Sequence, residues 1–459
     1  SNDAGGGPIV LREVGAIAAP IDRAQPVIQP GDFVKLDVVV RTKKIGHLFP
    51  TGTVDSFDIW LEMKAEDANG KPIFWSGRVE DDGKGPVEKG AHFYQSFLLD
   101  EHGNPINKRN AFHARTLLYS RLIPPGAADV IHFRMRIPED AAGPIRVHAK
   151  LNYRKFSHYY TQFVYAGQPV PGAGGEFSKD FDDREFHFSP ENIPENVSGK
   201  IKGRIPDLPI VTLAEHTAEL QIGPGETKWE HTTLAEDYIR WNDYGIGLLL
   251  QGDLRGAEWA FQRVTEAKPD YADGWLNIAR ALIQEGQTTT AWPSINKALE
   301  INDTLGRIHF FKAMIEKAEG KYDEALASLR VVDQQYPLDR VMLNQMARLL
   351  FLQRNYQQAL AVLERVARID PEDLQMHYTA MLCYRGLGQV EQAQREEALF
   401  QRFKADEDSQ VITAGVRRHS PEDNNERQVI HEHVSVNLTS EVARSRSQDS
   451  AKSAAGGQP

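Results

Sequence analysis

Gly320-Lys321-Tyr322-Asp323-Glu324-Ala325-Leu326-Ala327-Ser328-Leu329 is followed, 34 residues later, by Arg354-Asn355-Tyr356-Gln357-Gln358-Ala359-Leu360-Ala361-Val362-Leu363. The same register extends to both sides. Alanine recurs at 257, 291, 325, 359 and 393 without exception, and a larger residue stands four positions on at Phe261, Ile295, Leu329 and Leu363. Gly252, Gly286, Gly320 and Gly388 share a second column, where Arg354 takes the fourth place; Pro269, Asp303, Pro337 and Pro371 share a third. A fixed period of this length marks a stacked helix–turn–helix repeat. The small alanine lets two helices approach closely, and the larger residue one turn later fills the space beside it. The glycine frees the chain between helices, and the proline stops the second helix before the next unit. The register gives five units, 238–271, 272–305, 306–339, 340–373 and 374–407.

With Trp241, Gly245 and Leu248 in the first copy and Trp275 and Ala279 in the second, these columns resemble the tetratricopeptide repeat. The resemblance implies a five-unit α-solenoid over 234–405. In such a stack the first helices of the units line an inner face that can hold a protein or peptide partner. The candidate partner-binding residues there are Asn242, Arg280, Phe310, Asn344, Arg348, Tyr378 and Arg385. Arginine offers a planar fork for carboxylates and asparagine can pair with a peptide backbone, so an extended acidic peptide fits the set. The competing occupant is the protein's own flap or tail. Pro293 falls near the start of a second helix, where it is tolerated but can bend the groove.

The 459 residues exceed what a single core organises, and 41% hydrophobic with 25% charged residues is an ordinary globular balance. A net charge of −11 argues against a general nucleic-acid binder, which needs a basic face. No apolar run reaches the 18 or so residues of a membrane-spanning helix. The single cysteine, Cys383, excludes an internal disulfide, a CxxC metal knuckle and covalent c-type haem within these residues. It reads as a small packed side chain. The chain opens at Ser1, compatible with a removed leader or with a fragment.

Residues 1–8 are glycine-rich and read as a flexible leader. From 9 to 225 the hydrophobic period changes to two. Val34, Leu36, Val38 and Val40 alternate with more polar neighbours, as do Ile59, Leu61 and Met63, and Asp67-Ala68-Asn69-Gly70 is a hairpin turn signal. Further strand patterns run to Leu208–Ile222, with no helix expected beyond a turn or two. The pattern predicts an immunoglobulin-like β-sandwich. Residues 167–206, rich in Gly and Pro and then in Phe177, Phe181, Phe186 and Phe188, form an irregular excursion that reads as a surface loop pinned by its aromatics. Residues 406–459 are polar, with few apolar anchors, and are expected to be mostly disordered.

Several blocks occur in a fixed order: Gly46-His47-Leu48-Phe49-Pro50-Thr51-Gly52, Trp60-Leu61-Glu62, Ala91-His92-Phe93-Tyr94, Asp100-Glu101-His102-Gly103-Asn104, Leu151-Asn152-Tyr153-Arg154-Lys155-Phe156 and Pro206-Asp207-Leu208-Pro209. With the array they resemble the C-terminal, haem-free portion of bacterial multihaem c-type cytochromes fused to tetratricopeptide repeats. The resemblance implies a periplasmic or extracellular location and electron-transfer company, with a multihaem cytochrome among the candidate partners. The haem-attachment cysteines of that family are missing here. Any haem c would come from an upstream region or a partner, and no cofactor is expected within the chain.

His47, between a glycine and a proline-ended turn, is a candidate haem or metal ligand, with Asp55 and His92 able to converge on it if their loops meet. The alternative is a histidine that fixes its loop by bonding a carbonyl. Within the polar tail, Val429–Val436 can add a short helix or strand, and a metal site at His431-Glu432-His433 is the lesser alternative. Asp81-Asp82-Gly83-Lys84-Gly85 lacks the later ligands of a calcium loop. Nucleophile-elbow, HExxH, phosphate-loop and dinucleotide-binding patterns are all absent. The expected function is a non-enzymatic protein-binding scaffold, and the alternative is a haem-associated electron-transfer component.

Overall fold

The structure is a computed structural model that describes residues 14–54, 56–170, 186–224, 229–404 and 408–438. The chain divides into two compact units: one built on Thr233–Asp406, the other joining Gly15–Thr232 to Glu407–Pro459.

The first unit is helical. Its helices are Tyr238–Gln251, Leu254–Ala267, Ala272–Gln284, Thr288–Ile301, Gly306–Ala318, Tyr322–Gln335, Arg340–Leu352, Tyr356–Ile369, Leu374–Gly386 and Val390–Phe403. Each packs against the next, and Ala272–Gln284 also touches Gly306–Ala318, as Arg340–Leu352 does Leu374–Gly386, past the one helix between them. The alanine column explains why. Ala257, Ala291, Ala325 and Ala359 are fully buried, with Phe261, Ile295, Leu329 and Leu363 beside them in the core. At Gly245 a Cβ would stand 2.6 Å from the Phe261 ring, so only glycine allows this helix crossing. The glycine column adopts left-handed φ values of 73–84°, and Arg354 follows it at φ 62°. Cys383 is buried in the core around Leu349, Leu350 and Met376, and burial pushes its thiol up to about 11.

The second unit is β-rich. Its strands are β1 Val27–Ile28, β2 Phe33–Arg41, β3 Asp58–Glu66, β4 Pro72–Ser76, β5 His92–Phe93, β6 Ser96–Leu99, β7 Thr116–Ser120, β8 Ala128–Arg136, β9 Ile145–Arg154, β10 Gly167–Pro169, β11 Phe186–Phe188, β12 Ile210–Ile222 and β13 Glu432–His433. One sheet has the order β1-β12-β9-β3-β4, with β5 also on β3; a second has the order β13-β8-β2. Two-stranded pairs β6–β7 and β10–β11 complete the set. The alternation in β2 buries Val34 and Leu36 against Ile131, Phe133 and Met135 of β8 and against Leu61, Met63, Ile145 and Val147 of the larger sheet. The β3–β4 hairpin turns at Gly70, φ 76°, where Asp67 Oδ1 accepts from the backbone of Asn69 and Lys71.

Three sequence expectations change here. A nine-residue helix, His158–Ala166, follows β9, longer than the expected turn or two. Ser157 caps it, its hydroxyl accepting from Tyr160 N–H, an N-cap signal hidden among aromatics. The excursion 167–206 carries the β10–β11 pair and a short helix Ser198–Lys202. Phe186 packs edge-on to Phe163, and Phe188 to Tyr159, whereas Phe177 and Phe181 lie outside the described residues.

The third change is the tail. Composition predicts disorder over 406–459, yet 408–438 contain helices Asp408–His419 and Pro421–Glu426 and then β13. Ile412 and Val416 pack on Leu99, Leu118 and Tyr119. Strand β13 pairs in parallel with β8, Glu432 opposite His132 and His433 opposite Phe133. Just beyond it, Val436 N–H donates to Trp75 O and Trp75 N–H to Ser435 Oγ, so the tail bonds the edge of β4 as well. The last described stretch of chain therefore stitches the two sheets along one seam. Its order comes from a few apolar anchors such as Ile412 and Val416 together with polar contacts that a hydropathy reading does not register.

Candidate functional site

Positions 2, 5, 9 and 12 of each unit share one side of its first helix by the helical period. Side chains bond from helix to helix along it. Arg307 pairs with Asp273, Lys317 Nζ donates to Gln345 Oε1 at 2.7 Å, and Asn277 Nδ2 donates to Asn242 Oδ1 at 3.0 Å. Asn344 Nδ2 reaches both carboxylate oxygens of Asp373 at 3.2 Å.

This geometry sorts the seven candidates. Asn242 and Asn344 are buried and spend their amides on Asn277 of the next unit and on Asp373, which caps the first helix of the next unit, rather than wait for a partner. Arg385 is turned to Glu397 of the following helix at 2.9 Å, and Tyr378 leans on Phe400 of that helix while its ring stays exposed. Phe310 is half-buried against the core. Arg280 and Arg348 remain suited to a partner. Arg280 donates to Asn277 Oδ1, its Nε has no hydrogen-bond partner among the described residues, and its guanidinium lies over the Phe311 ring at 5.4 Å. Arg348 lies over Phe351 at 5.1 Å.

Two cations outside the seven candidates complete the face. Arg307 repels Arg280, which burial foremost holds below its ordinary value. Lys317 is likewise lowered, by burial first and Arg348 second. Arg280, Arg307, Lys317 and Arg348 thus make a stripe of two repelling pairs, Arg280–Arg307 and Lys317–Arg348, in which Asp273 pairs with Arg307. Such a stripe favours an anionic occupant. Lys317 stands at position 12 of the third unit, which the period alone marks out; the mutual repulsion has no signature in the sequence.

The histidine set does not assemble as expected. His47 is exposed on its loop, where Nδ1 bonds Leu48 O at 2.9 Å, the loop-fixing alternative. Asp55 lies outside the described residues. His92 is buried in β5, with Nε2 on Asp129 Oδ2 at 3.0 Å and Nδ1 facing His433 Nε2 at 3.1 Å. Its neighbours are thus the tail and β8, and burial holds its imidazole well below the usual range.

No curated protein sequence matches the chain. Among solved structures, MamA from Desulfovibrio magneticus RS-1 is similar at 13% identity, over 37% of this chain and 98% of that one, with a TM-score of 0.35. Pseudomonas aeruginosa PilF is similar at 17% identity over 42% and 89%, TM-score 0.35. YrrB, described as a repeat protein with an unusual peptide-binding site, is similar at 16% identity over 40% and 93%, TM-score 0.33. Family models match more directly: residues 245–304 match one tetratricopeptide-repeat model, and 316–381 and 350–396 match another. The helical part of this chain is therefore built of tetratricopeptide repeats.

Proposed function

We infer that the chain is a non-enzymatic docking scaffold whose repeat face holds an extended, acidic segment of a partner protein. We read the array as five units and the β-rich part as an immunoglobulin-like sandwich that carries it. The observation behind this reading is the stripe Arg280, Arg307, Lys317 and Arg348, where half-buried Arg280, Lys317 and Arg348 and exposed Arg307 meet as like charges, with Arg280 over Phe311 and Arg348 over Phe351. Holding cations together costs free energy in the unbound protein. An acidic ligand removes that cost on binding.

Fluorescence anisotropy with a labelled peptide alternating Glu and Leu, and a Lys/Leu control, tests it. The acidic peptide binds and the basic one does not, and Lys317→Glu with Arg348→Glu weakens binding by about tenfold or more. Equal binding of both peptides, or an affinity indifferent to the double reversal, overturns the reading. The cytochrome resemblance sets this scaffold in an extracytoplasmic electron-transfer system, with haem c brought by a partner or an upstream region. A visible spectrum of the purified chain mixed with a multihaem cytochrome, before and after gel filtration, tests that setting: co-elution of the Soret band supports it and separate elution removes it.

A further inference from the structure

Where the tail returns to the β-rich unit, four side chains from two separate stretches of sequence meet in its interior. His92 comes from β5, Glu426 from the end of the helix Pro421–Glu426, His431 from the turn after it and His433 from β13. Each can bring one ligand atom to within 4.8 Å of the other three. Their side chains are 1–6% exposed.

The hydrogen bonds fix which ring nitrogens are bare. His433 Nδ1 lies 2.9 Å from Gly90 O, and a carbonyl only accepts, so Nδ1 carries the proton and Nε2 is a lone pair. His431 Nδ1 lies 2.7 Å from Gln428 O, which leaves its Nε2 bare by the same logic. His92 Nε2 donates to the Asp129 carboxylate, which leaves Nδ1 bare. The consequence is a frustrated centre. His92 Nδ1 and His433 Nε2 point lone pairs at one another across 3.1 Å. His431 Nε2 stands 3.4 Å from Glu426 Oε1, a buried carboxylate oxygen 3.5 Å from His433 Nδ1 and with no hydrogen-bond partner among the described residues. Lone pairs packed this way require a positive centre between them.

Arg121 supplies part of that charge, but from outside. Its Nη1 donates to Glu426 Oε2 at 2.7 Å and its Nη2 lies 3.3 Å from His431 Nε2, while Oε1 and the His92–His433 pair stay unreached. The outer nitrogens, tied to a carboxylate and two carbonyls, match the way metal-bound histidines are oriented. Bonds of about 2.0–2.1 Å in a tetrahedron put ligand atoms roughly 3.3 Å apart, which the 3.1 and 3.4 Å separations bracket.

We propose that His92, His431, His433 and Glu426 form a closed, structural site for a divalent transition-metal ion of zinc type, which fastens the tail to the β-rich unit. Three imidazoles and one carboxylate suit zinc, and near-complete burial leaves no open position for a substrate. The site owes nothing to the repeat face, so it stands or falls independently of the docking function.

The test uses the full chain. After treatment with chelator and desalting, the protein is titrated with Zn(II) and, separately, Co(II), with metal content measured by mass spectrometry and unfolding followed by melting. About one metal is bound per chain, Co(II) gives the visible absorption of a four-coordinate site, and metal raises the melting temperature of the β-rich unit. Asp129→Asn, which keeps all four ligands, weakens affinity by about tenfold, and Glu426→Gln with His431→Ala abolishes binding. Because the wild-type titration needs no variant, misfolding of the double variant cannot hide the answer. A folded wild-type chain that takes up no metal, and melts identically with zinc and with chelator, overturns the proposal. That result assigns the His92–His433 contact to a shared proton.

Discussion

Single residues in this chain carry conformational and ionisation costs that can be measured. Arg354 occupies the glycine column at φ 62°, a region that costs an L-residue roughly 1–2 kcal/mol. Arg354→Gly relieves that strain against a smaller entropic loss, so array stability rises by about 1 kcal/mol in urea unfolding. A destabilised variant would show that the Arg354 side chain compensates for its backbone. Glu88 is the second case. Its Oε1 accepts from Gly77 N–H at 2.9 Å, and burial pushes its carboxyl up to about 7 from an ordinary 4.5. The folded state therefore holds a proton that the unfolded state releases. This contribution is complete below pH 4.5 and is lost as pH rises to about 7, on the order of 3 kcal/mol over the window. Glu88→Gln cannot titrate, so the wild-type-minus-variant stability falls between pH 4.5 and 7. A flat difference refutes the buried proton.

At the scale of elements, legibility follows the range of the constraint. The alanine and glycine columns restate one local rule every 34 residues, so the residue types alone spell out the array. The strands of the β-rich unit are likewise legible in alternation such as Val34, Leu36 and Val38. The tail is not, because β13 is two residues long and pairs with a strand some 300 residues earlier in the chain. Its buried residues include Glu426 and His433, which composition assigns to solvent. The groove residues meet the same limit. Asn242 and Asn344 sit at the right register positions, but their amides are committed to Asn277 and to Asp373, pairings that the period does not encode. The tail's second helix is held by Arg121, whose guanidinium also bonds Phe93 O at 3.1 Å. Arg121→Met leaves Glu426 buried without its ion-pair partner. The expected cost is about 3–5 kcal/mol in the β-rich unit, with the array transition unmoved. A loss below 1 kcal/mol would mean that the tail is only loosely attached.

For the whole molecule, chain order and spatial order disagree. The β-rich unit is assembled from two stretches, and the array interrupts it. A fragment of residues 233–404 contains every described helix of the array and folds alone, keeping its helical circular dichroism and one cooperative transition. A fragment of residues 14–232 lacks the stitching strand. It exposes the edges of β4 and β8, and it unfolds or self-associates, since an unpaired edge is a template for another chain. A monomeric, fully stable 14–232 fragment would show the tail to be dispensable.

That interruption has a temporal side. On the ribosome, the first sheets emerge and must wait, unsealed, while the whole repeat array is made behind them. Their shared core can pack early, but the seam between β4 and β8 is bridged only when Val436 has been translated and reaches Trp75. A message broken anywhere in the repeats yields helices that fold normally beside a β-rich half with an open seam. Completeness of synthesis is thereby converted into a surface property that chaperones and proteases can sense.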